Sequence, residues 1–238
     1  MLSIIRKGCK PIKPDGLIFD FDGLILDTET PEYEACQEVF AEYGTDLPLA
    51  LWSKAIGTRG GFDPHAHLER VTGRSVDRAH MDARRRSLYE ARMRGCGVRP
   101  GVKEYLRDAS AQGIPIGLAS SSGRRWVEGY LRQFGLWEYF SCVRTADDVR
   151  QVKPDPELYR SALAGLGARA GQTVAFEDSP NGALAAVRAG MLCVIIPNPV
   201  TALLEFPDGV AWRLNSMADM PLPELLLQLP DSFRAPLC

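Results

Sequence analysis

The sequence predicts an α/β fold: a parallel sheet covered by helices on both faces, interrupted near its start by a helical insertion. Three observations predict it. From residue 97 onward, short apolar runs alternate with amphipathic segments, the pattern of strand and helix in a parallel sheet. The amphipathic segments carry Ser, Asp or Pro at their starts and Gly just past their ends, the usual boundary signals of helices. Residues 30–96 break the rhythm and contain no convincing strand.

In chain order, Gly16-Leu17-Ile18-Phe19 is an apolar run of buried-strand type, followed at once by Asp20, Asp22 and Gly23. Thr30-Pro31 opens a helix with Tyr33, Cys36, Phe40 and Tyr43 on one side, ending at Gly44, and a second helix is expected over 77–94. This insertion is divided by charge. Residues 30–52 hold five acidic and no basic residues, and 54–94 hold ten basic and five acidic. Beyond it, Val102, Tyr105, Leu106 and Ala109 recur at helical spacing before Gly113. Val127, Tyr130, Leu131 and Phe134 do the same before Gly135. Asp155-Pro156 starts a helix that runs to Gly167, and Ser179-Pro180 starts another that runs to Gly190. The strands between them are expected at 114–119, 141–144, 173–176 and 192–196.

Composition narrows the function. With 238 residues, 45% hydrophobic and 24% charged, the chain is an ordinary globular protein of one large domain or a domain with an insertion. A net charge of −2 gives no electrostatic case for nucleic acid or an anionic membrane, and no apolar stretch reaches membrane-spanning length. The six scattered cysteines form no C-x-x-C pair, which points to a reducing cytoplasm without disulfides. Residues 1–15 read as a poorly ordered basic extension.

The chemistry gathers at strand ends, where parallel sheets present their ligand sites. Asp20 and Asp22 are two residues apart, so both carboxylates can leave one strand toward one place. Side by side they repel unless a cation or shared proton compensates. Ser120-Ser121-Ser122-Gly123 ends another strand just before a helix, offering a hydroxyl and helix-start amides to an anion. Lys153 stands just before a helix start. Glu177 and Asp178 end the strand at 173–176 and supply the oxygen ligands a hard cation such as Mg²⁺ takes. Alone, each of these also reads as a turn, a cap or a solvated charge.

Taken together, the order Asp-x-Asp, Ser, Lys, Glu-Asp and the local sequences DFDGLILDTE, LASSS, VKPDPELY and FEDSPNG closely resemble the haloacid dehalogenase superfamily of phosphotransferases. The resemblance spans about residues 16 to 198 and is strongest to sugar-phosphate phosphatases and β-phosphoglucomutase. It implies a Rossmann-like core over 16–30 and 97–238 with a helical cap over 31–96. It also implies a catalytic set. Asp20 is the nucleophile that forms an aspartyl-phosphate, and Asp22 is the acid/base that Thr28 steadies. Ser120 and the Ser121 amide hold phosphate oxygens, and Lys153 adds positive charge to nucleophile and phosphate. Mg²⁺ bridges Asp20, the Asp22 backbone carbonyl and Asp178, with Glu177 as a direct or water-mediated partner. Asn181 and Gly182 support the last loop.

The branch follows from what is present and what is missing. Asp at both positions 20 and 22 departs from true dehalogenases, which displace halide and lack the second acid. A phosphonatase needs an activated cap lysine, and nothing marks Lys54 as one. β-Phosphoglucomutases carry a cap histidine twelve residues after the nucleophile; Glu32 stands there, which favours water as acceptor and hence phosphatase over the alternative, a mutase. Glu32 either hydrogen-bonds substrate or simply starts its helix favourably. Gly57-Thr58-Arg59-Gly60-Gly61 is a turn that either presents Arg59 to an anionic substrate or is exposed loop. The arginines at 84–86, 92 and 94 read as a solvated helix face, because consecutive residues point different ways. His65 and His67 lack the partners of a zinc site. The expected partner is a small phosphorylated metabolite, without nucleic acid or membrane.

Overall fold

The computed structural model describes residues 13–53, 56 and 62–229. Arg59, Lys54 and the basic extension up to residue 12 lie outside them. Six strands form one wholly parallel sheet: β1 (Gly16–Phe19), β2 (Ile116–Ala119), β3 (Cys142–Arg144), β4 (Thr173–Glu177), β5 (Leu192–Ile195) and β6 (Val210–Arg213), in the order β3-β2-β1-β4-β5-β6. The strand order reverses at β1, which pairs with β2 on one side and β4 on the other. Such a switch point opens a crevice beyond the strand ends, and it lies here at the ends of β1 and β4.

Strand alternation sorts the core into two layers. Leu17, Phe19, Val174 and Phe176 pack with α5 (Val102–Ala111), α6 (Arg124–Gln133) and α9 (Leu222–Gln228). Ile18 and Ala175 face α7 (Glu157–Leu166) and α8 (Pro180–Arg188). Asp20 continues the parity of Ile18, so its side chain emerges on the α7 side, while Phe21 joins the opposite layer. The expected strands appear at their expected places, with the second beginning at Ile116 rather than 114. Sequence reading passed over β6 and α9. β6 is a half-exposed edge strand with a register shift, and α9 buries Leu222, Leu225 and Leu226 against α5.

Residues 29–93 form α1 (Glu29–Glu42), the short α2 (Leu49–Trp52), α3 (Pro64–Thr72) and α4 (Arg78–Met93), with no strand among the described residues. They share their own core of Ala35, Val39, Phe40, Leu68, Met81 and Leu88. α2 and α3 were not foreseen. The charge division has a structural cause: α1 and α4 pack together, and the basic helix clasps the acidic one. Arg84 pairs with Glu38 and Glu42, Arg85 with Glu32, and Arg92 with Glu34 and Glu38. These three arginines are therefore partnered rather than merely solvated; Arg86 and Arg94 remain exposed. His65 lies 3.0 Å from Asp82, an ordinary polar contact.

α1 begins one residue earlier than Thr30-Pro31 predicts. Its cap residue, Thr28, makes no capping bond because its hydroxyl is turned to Asp22, and Asp27 accepts from the Thr30 amide instead at 3.0 Å. The helical segment meets the core where strands end. Asn181 donates to the Ile56 carbonyl at 2.8 Å, Val200 joins its apolar cluster, and Tyr89 stacks on Trp126.

Candidate active site

The four motifs converge, three from the ends of β1, β2 and β4 and Lys153 from the segment just before α7. Lys153 is 1% exposed, and its ammonium donates to Asp20 Oδ1 and, at 2.6 Å, to Glu177 Oε1. The same Glu177 oxygen accepts from the Tyr159 hydroxyl at 2.5 Å, and Oε2 accepts from the Asp178 amide at 3.2 Å. Both oxygens of Glu177 are thus engaged within the protein. Its part in this geometry is to anchor Lys153. Asn198, just past β5, donates to Asp178 Oδ2 at 2.7 Å; its own Oδ1 accepts from the amides of Val200 and Thr201, each at 3.0 Å.

Asp22 sits at the mouth, half-buried. Thr28 donates to its Oδ1 at 3.2 Å and the Trp126 indole to the same oxygen at 2.9 Å, while Ser120 reaches Oδ2 at 3.3 Å. Ser120 is fully buried and accepts from the Ser122 amide at 3.0 Å, which fixes the loop after β2. Arg99 braces the turn behind Asp22, donating to the carbonyls of Gly23, Ile196 (3.0 Å) and Pro197 (2.8 Å). Glycine is required at 23. Its φ is +79°, and a Cβ there would overlap the Asp178 carboxylate. At 182 the cause is space alone, since a Cβ would overlap the Glu177 carboxylate.

Carboxylate charge exceeds what the described cations balance. Burial pushes Asp20 up to about 8; Lys153 pulls it down, and Glu177 and Asp22 push it further up. Burial, then the charges of Asp20 and Glu177, raises Asp178 well above the ordinary range. Lys153 would be lowered by burial, but the attraction of Asp20 and Glu177 outweighs this and holds its ammonium. Glu29, at the start of α1, is raised to about 8 by burial and by Asp22 and Asp20, and no donor among the described residues hydrogen-bonds it. One ligand atom from each of Asp20, Glu177 and Asp178 lies within 4.8 Å of the others. An all-oxygen donor set with surplus negative charge fits a hard divalent cation.

The model of the haloacid dehalogenase-like hydrolases matches residues 17–196, so it spans all four motifs. The chain belongs to this family. Among relatives of this hydrolase is YhcW of Bacillus subtilis (strain 168), assigned as a phosphatase. It is 52% identical over 88% of this chain and 95% of its own. The validoxylamine A 7′-phosphate phosphatase of Streptomyces hygroscopicus subsp. limoneus is 31% identical over 74% of this chain and 83% of its own. A crystal structure of mutant CbbY from Rhodobacter sphaeroides with xylulose-(1,5)bisphosphate aligns with a TM-score of 0.68 and 29% identity. It covers 87% of this chain and 96% of that one. The hydrolase is thus of the phosphatase type that its motifs resemble.

Within it, Asp20, Asp22, Ser120, Lys153, Glu177 and Asp178 stand around one crevice, and Thr28 touches Asp22. Glu32 does not join them through hydrogen bonds; it is paired with Arg85. Sequence reading missed five residues. Tyr159 lies inside the quoted VKPDPELY motif, in the first turn of α7. Asn198 follows a strand end and could have been found by the rule that found the others. Glu29 likewise closes the quoted DFDGLILDTE motif. Arg99 and Trp126 carry no signal of their own, because only the tertiary fold brings them here.

Proposed function

We propose that the chain is a Mg²⁺-dependent phosphomonoesterase acting on a small phosphorylated metabolite, a sugar or polyol phosphate, through an aspartyl-phosphate on Asp20. The observation that carries this reading is the meeting of Asp20, Lys153 and Asp178 at the switch point of the sheet. Asp20 attacks phosphorus and the ester oxygen departs with a proton from Asp22, which then takes a proton from the water that opens the acyl phosphate. Lys153 keeps one oxygen of Asp20 fixed and adds positive charge beside the incoming phosphoryl group. Ser120 and the Ser121 amide hold phosphate oxygens. Asp20, Asp178 and the Asp22 carbonyl would hold the cation, and Glu177 would be its direct or water-mediated partner. When bound, Mg²⁺ offsets the clustered carboxylates and the charge of the transferring group. Residues 31–96, with helices α1–α4, are the cap over this crevice, and Arg59 is a candidate substrate contact.

Transfer to water, rather than back to a sugar, is supported by position 32: no histidine stands there, and Glu32 is spent on Arg85. A cytoplasmic setting agrees with the free Cys36, Cys96, Cys142 and Cys193 among the described residues. The test is phosphate release across a metabolite panel with Mg²⁺, abolished by Asp20→Asn. Intact, metal-bound protein that releases no phosphate from any ester refutes the reading. Conversion of β-glucose 1-phosphate to glucose 6-phosphate without net release would make it a mutase.

A further inference from the structure

Three donors from three elements hold Asp22. Two of them, Thr28 and Ser120, are family motif positions. The third is the indole N–H of Trp126 in the first turn of α6, and at 2.9 Å it is the shortest of the three. An indole N–H only donates, so this contact aims the carboxyl group without exchanging its proton. Trp126 and Thr28 both donate to Oδ1 and the Ser120 hydroxyl to Oδ2, so the carboxyl group is held at both oxygens. The indole ring is itself fixed on two sides. Tyr130 meets it edge-on at 4.7 Å and 70°, and Tyr89 of α4 stacks on it at 6.2 Å and 28°. One ring therefore links the helical segment to Asp22. The three aromatics line a cleft of about 620 Å³ between α4 and α6.

We propose that Trp126 is a positioning residue for Asp22, and that Tyr89 holds the indole in place while the helical segment is seated on the core. The proposal rests on the phosphomonoesterase reading above. As the bond from Asp20 to phosphorus forms, the bond from phosphorus to the leaving oxygen breaks. The electron pair stays on that oxygen and the proton comes from Asp22. Misaimed, Asp22 fails chiefly where the leaving group needs that proton. An alkoxide needs it, and p-nitrophenolate departs without it.

The experiment reads the ratio of kcat/KM on alkyl esters (glucose 6-phosphate and glycerol 3-phosphate) to kcat/KM on p-nitrophenyl phosphate, with Mg²⁺. The parameter kcat/KM covers the steps up to the aspartyl-phosphate and leaves out the hydrolysis that both share. Trp126→Phe keeps an aromatic ring and removes the N–H; it lowers the ratio about tenfold, the scale of one hydrogen bond to a charged group. Tyr89→Leu keeps the N–H but frees the indole, and lowers the ratio about threefold. Both rates come from one preparation, so partial unfolding cancels. Asp22→Asn calibrates the ratio by lowering it further. An unchanged ratio in Trp126→Phe, with Asp22→Asn lowered, overturns the proposal and leaves the phosphatase reading standing. An unchanged ratio in Asp22→Asn overturns the acid role of Asp22, and release from neither ester type by the unaltered protein overturns the phosphatase reading; the proposal falls with either.

Discussion

Replacing Lys153 by Met keeps the length of the side chain and removes its charge. Lys153 is 1% exposed and its ammonium is shared between Asp20 and Glu177, which are themselves buried. Removing one partner of a buried ion pair leaves the other charge uncompensated, which costs about 3–5 kcal/mol. Here two carboxylates are stranded, but Glu177 retains Tyr159 and the Asp178 amide, and Asp20, already at about 8, can take up a proton. The lower end, about 3 kcal/mol, is the expected loss in metal-free protein near neutral pH. Mg²⁺ should recover part of it, since a cation beside Asp20 and Asp178 supplies the missing positive charge. Turnover should fall about 10²–10³-fold because a fixed charge beside the transferring group is lost. Urea unfolding with and without Mg²⁺, together with phosphate release, measures both. A stability loss under about 1 kcal/mol, or turnover within about threefold of the parent, would refute the reasoning. Lys153→Arg should not rescue activity, because a planar guanidinium does not fit a pocket closed around an ammonium.

Gly182→Ala should destabilise by about 1–3 kcal/mol and lower turnover, since the new methyl displaces the Glu177 carboxylate that anchors Lys153; thermal melts with activity assays check it. Glu29 is raised from its ordinary value to about 8, so the metal-free protein loses stability as pH climbs through that interval. Glu29→Gln should therefore raise the melting temperature near pH 8 and leave it almost unaltered near pH 5, and the reverse order would contradict the assignment. Arg84→Ala, at a 40%-exposed ion pair between α1 and α4, should cost no more than about 1 kcal/mol and leave kcat unaffected; double-mutant cycles with Glu42 would measure it.

Much of this was legible in the sequence, because strand, turn and helix signals are local. Gly16 to Phe19 reads as a buried strand from its own residues, and Asp20 follows the parity of Ile18. The motif residues Ser120, Lys153 and Asp178 are separated by tens of residues, yet Ser120 and Asp178 follow strand ends and Lys153 stands shortly before α7. What escaped reading was set by tertiary contact. Trp126 looks like one more apolar helix residue until the fold brings it to Asp22. Arg84, Arg85 and Arg92 look like a solvated face until α1 is laid against them. Glu32, a candidate substrate contact in the sequence, proves to be held by Arg85. β6 escaped because its edge position leaves it half-exposed, so its alternation is weak.

All the proposed chemistry depends on Asp20 becoming the phosphoryl carrier. Incubation with a turned-over phosphate ester and Mg²⁺, quenched rapidly in acid and digested, would place the group by mass spectrometry. One added phosphoryl moiety on the peptide bearing Asp20, gone in Asp20→Asn and with chelator, is the result predicted. Steady phosphate release by protein whose Asp20 peptide never gains mass, or equal release by Asp20→Asn, would contradict it.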